Sequence, residues 1–490
     1  MSATVLDHIR AHAARAPEHP ALVVAGASGS TPRSVGYAEL VARVDALAGR
    51  LRAAGVRHAQ RCGLVARQGA GFIELALAIL AADACLVPIA DDYAGPVLDE
   101  FAERAFLHAI VLERPGDAEF ELVSRADVPA VDQNGERDFA ALRPAYLRFT
   151  SGTTSRRKGV ILGHAAVLAR LDAANRGLAI RPRDRILWLL PMAHHFVVSI
   201  LLYLRHGATI LLPAGSLARP ILELAAAERA SVLYASPYHM ALLAKDPSDL
   251  ALPELRLVIS TAEGLRAETA RVFQARFGHA VSQALGIIEV GLPVLNLGAS
   301  AKKPDALGRP LPDYDVWLRG DDGRAVAPPT SPERTGEICI RGPGLFDAYL
   351  EPWTPARAVL DPDGFRTGDQ GWFDADGDLY LVGRRTNRIN MAGMKFFSEE
   401  VEAVLDAHPG VARSRVVPRA HAHLGEIPVA EIVPADPARA PTRGELVAHC
   451  RSRLPAYKIP REFRVVESLP KTATGKLARR PSEPSAARRR

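Results

Sequence analysis

Short apolar runs at Ile186–Met192, Ala208–Pro213, Ser231–Pro237 and Leu255–Thr261 alternate with Ala/Leu/Glu/Arg-rich stretches such as Ile221–Arg229. A brief, continuous apolar run between turn signals reads as a strand covered on both faces, and a helix between two such strands returns the chain to a parallel neighbour. The fold class that follows is α/β, layered around a mostly parallel, doubly covered sheet. Tyr37–Ala54 supports this, since Leu40, Val44, Leu47 and Leu51 form one apolar stripe and Gly55 follows as a stop, which predicts a helix packed on a core.

The texture changes near Gly320. Asp321-Asp322-Gly323, Gly342-Pro343-Gly344, Asp361-Pro362-Asp363-Gly364 and Asp374-Ala375-Asp376-Gly377-Asp378 punctuate the chain at intervals that suit tight turns and hairpins. After Arg385 a compact α+β segment begins, with helices expected at Ser398–His408 and Thr442–Arg453 and strands near Ala412–Pro418 and Val429–Pro434. At 490 residues the chain exceeds one ordinary domain, and a boundary is placed near Arg384–Asn387. The expected division is 1–385, 386–480 and a basic, solvated tail at 481–490. No internal repeat is visible.

Several function classes are excluded. Cys62, Cys85, Cys339 and Cys450 are far apart and form no CxxC pair, so neither a disulfide framework nor a zinc ribbon is supported and a cytoplasmic location is expected. The formal charge is +6, yet the segment from Lys471 to Arg490 holds seven cations against one anion, so the rest of the chain sums to zero. No nucleic-acid partner is expected from it. The N-terminus lacks the apolar core of a signal peptide, and Glu74, Asp83 and Arg205 interrupt the most apolar stretches before they reach spanning length, so no membrane span is expected.

The first segment with chemistry is Leu147-Arg148-Phe149-Thr150-Ser151-Gly152-Thr153-Thr154-Ser155-Arg156-Arg157-Lys158-Gly159-Val160, which follows an apolar approach and precedes a helix beginning near His164. Hydroxyls and bare N–H groups on a glycine loop suit a polyphosphate, whose charge Lys and Arg offset. A Ser/Thr-rich surface turn would look similar. It is not a P-loop of the GxxxxGK[ST] type, because Gly159 follows Lys158.

Three further segments join it: Phe365-Arg366-Thr367-Gly368-Asp369, then Gly383-Arg384 after an expected hairpin, then Pro470-Lys471-Thr472-Ala473-Thr474-Gly475-Lys476. In order and spacing these resemble the adenylate-forming superfamily of acyl-CoA synthetases, aryl-acid activators, carrier-protein adenylation domains and luciferases, from about Leu6 to Arg480. The resemblance implies a large N-terminal domain of α/β layers with a small β-barrel-like portion and a small, mobile α+β C-terminal domain. It implies an acyl adenylate made from a carboxylate and ATP, then transfer to a thiol.

What the family's chemistry requires can be set beside the residues. A carboxylate attacking the α-phosphate brings two anions together, and Lys476 resembles the bridging cation. Asp369, with Arg384 beside it, matches the acceptor for the ribose hydroxyls. For Mg²⁺ and the leaving pyrophosphate the resemblance nominates Glu289 as the metal carboxylate and Thr150, Ser151, Gly152, Thr153, Thr154 and Lys158 as the loop. Ala262, Glu263, Gly264, Leu285 and Gly286 match the nucleotide side. His194 resembles a catalytic pocket histidine, and His195, Phe196, Ser199, Tyr238 and Gly286 border the acid, with His239, Ser260 and Thr261 nearby. Thr386 and Asn387 fall at the hinge, and Gly393 and Lys395 in the loop that resembles the thiol tunnel.

The chain departs from the family at Leu285 for an aromatic, Ile288 for a threonine, Ser155 and Arg157 in the loop, His195 for an asparagine and Thr386 for a charged hinge residue. Phe196–Leu202 contains no acid, which disfavours an α-amino acid and points to an aromatic or short-to-medium aliphatic one. The acceptor is coenzyme A or the phosphopantetheine of a stand-alone acyl carrier protein, since no carrier segment follows Arg480. A non-catalytic relative that binds nucleotide or acyl ligand is the alternative class, disfavoured by the retention of Lys476, Asp369 and Arg384 at three distant places.

Overall fold

A computed structural model describes the chain apart from residues 1–2, 27–30, 115–119, 126–127, 130, 132–134, 151–157, 361–363, 393, 422, 471–476 and 478–490, and apart from the side chains of 386 and 395. The described residues form two compact units, one drawn from Met1–Thr150, Arg157–Val316 and Ile340–Phe365, the other from Trp317–Cys339 and Arg366–Arg490.

The first unit holds two large sheets. In the nine-stranded sheet, Pro20–Val24, Thr209–Leu212, Arg185–Trp188, Val232–Ala235, Leu257–Ser260 and Ser282–Ile287 lie side by side in parallel, and antiparallel strands close both edges. These are the apolar runs of the sequence. Leu187, Leu233, Val258 and Leu211 point to one face, where they pack against the Ala218–Ala227 helix and the Phe273 ring of Ala267–Phe277. In the eight-stranded sheet, Arg61–Val65, Cys85–Ile89, Ala109–Glu113 and Pro144–Phe149 are parallel, and Gly159–Gly163 returns antiparallel to the last of them.

The helices follow their patterns. Tyr37–Ala53 buries Leu40, Val44, Leu47 and Leu51, the expected stripe. Ala70–Ala81 is apolar but for Glu74, which pairs with Arg43, and is buried from Phe72 to Ala81, as expected of a helix enclosed between layers. No helix among the described residues is long and apolar enough to cross a membrane. All four cysteines are buried, and none is in a disulfide.

The second unit begins with a five-stranded sheet in the order Ala325–Val326, Asp315–Arg319, Gly336–Arg341, Phe365–Phe373, Leu379–Arg384, where a barrel-like portion was expected. Its last two strands form the hairpin read from the Asp/Gly turn at 374–378. The chain then builds a separate sheet from Arg388–Met391, Met394–Phe397, Val411–His421, Gly425–Pro434 and Glu462–Val465, with Ser398–Asp406 and Arg443–Arg451 as its helices. Val401, Leu405, Val416, Ile432, Leu446 and Cys450 make its core.

Candidate active site

In an open parallel sheet every strand delivers its following loop to the same edge, and this is where such sheets bind ligands. In the first unit, Arg185–Trp188 leads to His194 and His195, Val232–Ala235 to Tyr238 and His239, Leu257–Ser260 to Thr261 through Gly264, and Ser282–Ile287 to Glu289. These strands are consecutive neighbours, so the topology gathers onto one edge residues that are about a hundred positions apart in sequence.

Glu289 is the most constrained of them. Ser282–Ile287 turns tightly, with Val290 N donating to Ile287 O at 3.0 Å, and returns as Gly291–Leu295. The Glu289 carboxylate is buried and accepts from the Tyr349 hydroxyl at 3.2 Å, while its own carbonyl accepts from Phe346 N at 2.8 Å. Burial, and then the negative charge of Glu289, push the Tyr349 hydroxyl well above the usual tyrosine range, so it remains a donor. From the helix His164–Leu178, Arg170 donates to Ile288 O at 2.9 Å and to Gly344 O at 2.9 Å. One buried guanidinium thereby joins the Glu289 turn to the segment that carries Tyr349. Burial holds Arg170 down to about 10, still protonated at neutral pH.

The loop expected to bind phosphate leaves the eight-stranded sheet between Pro144–Phe149 and Gly159–Gly163. Its base is closed by Thr150 N donating to Lys158 O at 2.9 Å and Lys158 N donating to Thr150 Oγ1 at 3.2 Å. The Lys158 ammonium stands 4.4 Å from the centre of the Tyr349 ring, a cation–π contact that ties the loop base to the Glu289 cluster. Ser151, Gly152, Thr153, Thr154, Ser155 and Arg157 lie outside the described residues.

On the acid side, Phe196–Leu201 forms a wide helical turn broken at Val198 (φ −83°, ψ 51°), a form that recurs at functional sites. Phe196 is buried edge-on against Phe72, and Ser199 Oγ donates to His195 O at 2.6 Å, so both are spent on packing and on the local turn. His194 and His195 are half-buried, and the His194 carbonyl accepts from Arg148. Tyr238 is 66 % exposed, and His239, held low by burial, lies 2.8 Å from Ser236 Oγ. Ala262 has φ +77°, a left-handed conformation that costs a non-glycine residue about 1 kcal/mol, between Thr261 and the half-buried Glu263. Leu285 is buried and Gly286 exposed on the strand just before the Glu289 turn.

In the second unit, Asp369 and Arg384 are direct register partners in the hairpin, and Arg384 Nε lies 3.1 Å from Asp369 Oδ1. Asp369 is buried and Arg384 half-exposed. Gly368 takes φ +75°, which swings the next residue, and Thr367 Oγ1 accepts from Asp369 N at 3.0 Å. Arg385–Asn387 is a short turn. Asn387 Nδ2 donates to Glu399 Oε1 at 2.6 Å, and its carbonyl accepts from Ser398 Oγ at 3.2 Å, which pins Asn387 to the start of the Ser398–Asp406 helix. Gly393, Lys476 and the side chains of Thr386 and Lys395 lie outside the described residues.

Sequence reasoning missed Arg148, Arg170 and Tyr349. The available signal was a charge out of place: Arg170 interrupts a helix whose Val167, Leu171 and Ala174 are buried, and Arg148 interrupts an apolar strand.

The family model described as AMP-binding enzyme matches residues 9–350, and the AMP-binding enzyme C-terminal domain matches 400–476. A feruloyl-CoA synthase from Amycolatopsis sp is 30% identical over 468 residues, covering 90% of this chain and 92% of that protein. A sulfoacetate–CoA ligase from Cupriavidus necator is 32% identical over 341 residues, 69% of this chain, and this chain spans just 66% of that protein's length. Among solved structures, o-succinylbenzoate CoA synthetase from Bacillus subtilis in complex with its acyl-adenylate intermediate shares the fold at a TM-score of 0.81 and 23% identity, over 96% of both chains. ATP-bound MatB from Rhodopseudomonas palustris does so at 0.80 and 23%, over 96% of this chain and 97% of that one. The chain belongs to the AMP-binding enzyme family, the adenylate-forming ligases.

Proposed function

We propose that this AMP-forming acid–thiol ligase activates an aryl or short-to-medium aliphatic carboxylic acid with ATP and transfers the acyl group to coenzyme A. The phosphopantetheine of a separate acyl carrier protein is the alternative acceptor. The observation that carries the reading is the buried Glu289 carboxylate, fixed by Tyr349 and by the Arg170-braced turn, beside a loop base of Thr150 and Lys158. A buried carboxylate next to hydroxyl and ammonium groups at the carboxyl edge of a parallel sheet suits a metal–phosphate ligand.

The residues fit the absent groups. Glu289 and the loop hydroxyls would hold Mg²⁺, which would offset charge on the departing pyrophosphate. Asp369, oriented by Arg384, would accept from the ribose hydroxyls, and Lys476 would bridge the acid and the α-phosphate. Ala262–Gly264, Leu285 and Gly286 would flank the nucleotide, and His194, His195 and Tyr238 the acid. Thr386, between an Arg384 tied to Asp369 and an Asn387 tied to Glu399, would be the pivot of a domain running from 386 to 480, with Gly393 and Lys395 serving the thiol.

The relatives named as feruloyl-CoA synthase and sulfoacetate–CoA ligase support a carboxylic acid without an α-amino group, as does the acid-free helix Phe196–Leu201. The test is ATP–pyrophosphate exchange across benzoates, cinnamates, medium-chain fatty acids and amino acids, followed by thioester formation with coenzyme A and with a loaded carrier protein. Exchange with the first three groups and none with amino acids is expected. A preference for an amino acid would overturn the reading.

A further inference from the structure

Among the described residues, Arg61 and Arg170, the buried arginines of the first unit, are matched to acceptors, whereas the half-buried Arg148 keeps a buried donor without one. Arg61 donates through Nη1 and Nη2 to Glu136 at 3.0 and 2.7 Å and through Nε to Phe106 O at 2.7 Å. Arg170 spends its donors on Ile288 and Gly344, and Arg256 forks onto Asp184. Among the described residues, Arg148 donates from Nη1 to His194 O. Its Nε is buried without a hydrogen-bond partner, and among the described residues no carboxylate stands within ion-pair distance of it. Burial lowers its proton affinity, with the charges of Tyr146 and Glu289 opposing that.

A guanidinium carries five N–H donors in a planar fork, and leaving such a charge unpaired away from water is costly. The strand fixes where it points. Leu147 packs into the apolar cluster with Val87, Ile161 and Leu350, so alternation sends Arg148 to the opposite face, the side of Tyr146. It reaches the carbonyl of His194 from the end of the strand Pro144–Phe149, within the electrostatic reach of Glu289.

We propose that Arg148 is an oxyanion-binding residue of the active site, its free donor completed by a carboxylate or sulfonate of the acid or by a phosphate of the nucleotide. The proposal rests on the ligase reading for the identity of these ligands and on the buried, unpartnered Nε of Arg148 for the site itself. Of the two sources the acid is favoured, because Arg148 is held against the His194 loop, and an acid bearing a second anionic group would use the fork best.

The experiment compares wild type with Arg148→Gln, which keeps a donor for His194 O but no charge, Arg148→Met, which keeps neither, and Arg148→Lys. Ligand-induced thermal stabilisation is titrated with ATP, pyrophosphate, benzoate, succinate and 3-sulfobenzoate, which needs no turnover. KM values from pyrophosphate exchange follow. A tenfold or greater rise in the half-saturating concentration of the two-anion acids in both Gln and Met, with partial recovery in Lys, assigns the acid. The same rise for ATP and pyrophosphate assigns the nucleotide. Overturning results are a Gln protein that matches wild type for every ligand, which would make Arg148 a brace for the His194 loop, or a wild type that none of these anions stabilises. If the anions stabilise wild type in an Arg148-dependent way and no acid supports exchange, the ligase reading fails while the anion site stands.

Discussion

Two carboxylates expected to face the nucleotide, Glu289 and Asp369, sit in contrasting surroundings. Asp369 has its partner Arg384 fifteen residues away, across a single hairpin, and the two are register neighbours. Glu289 is held by groups from far along the chain: Tyr349 is sixty residues off, and Arg170, which braces the preceding carbonyl, lies 118 residues from Ile288. The first arrangement is made by local chain geometry and shows as a motif. The second is made by packing, and around it the sequence departs from the family at Leu285 and Ile288 without losing the carboxylate.

The largest effect is expected where the motif reading stands alone. Lys476→Ala should lower pyrophosphate exchange by about a hundredfold, roughly 2.7 kcal/mol of transition-state stabilisation, with an unchanged melting temperature. Loss of less than tenfold would show that the glycine-turn motif had been overread.

Arg170→Met tests the packed carboxylate. It strands the Ile288 and Gly344 carbonyls, at about 1–3 kcal/mol for each unsatisfied group, so melting temperature and exchange should fall together. If exchange survives a clear drop in stability, the position of Glu289 does not depend on Arg170.

Asp369→Asn is the matching test of the hairpin. KM for ATP should rise by about tenfold, near 1.4 kcal/mol, while stability changes little, because Arg384 is half-exposed and such pairs contribute about 1 kcal/mol or less. An unchanged KM would remove Asp369 from the nucleotide.

Thr386→Pro should slow thioester formation several-fold more than adenylation, since proline fixes φ where a hinge must change it. The exposed Arg388–Asp321 pair, at 3.3 Å, is too weak a latch to resist the turn. Timing both half-reactions decides it: equal slowing places the pivot elsewhere.

A pH dependence comes from two histidines of the first unit. Burial, and then neighbouring Arg61 and Arg205 respectively, hold His108 and His206 down to about 4. The folded state therefore binds fewer protons than the unfolded one, whose histidines titrate near about 6.5. Stability from this source is complete above about pH 7 and declines as pH falls towards about 4. Melting curves over that range should flatten in the double variant His108→Gln, His206→Gln; an equal slope would assign the acid loss to other groups.

The sequence by itself determined the parallel sheet, the hairpin and the helices after residue 385, because apolar periodicity and Gly/Asp turns are local constraints on φ, ψ and burial. The family resemblance set Arg384 beside Asp369, but their direct pairing depends on a bulge at Gln370–Gly371 that the turn alone does not give. Tertiary structure alone decided that Tyr349 would donate to Glu289, that Arg170 would brace its turn, and that Phe196 and Ser199 would be consumed by packing. It also decided that the Nε of Arg148 would be buried with no acceptor. Each of these depends on which distant segments the layers bring into contact, and no spacing along the chain encodes that.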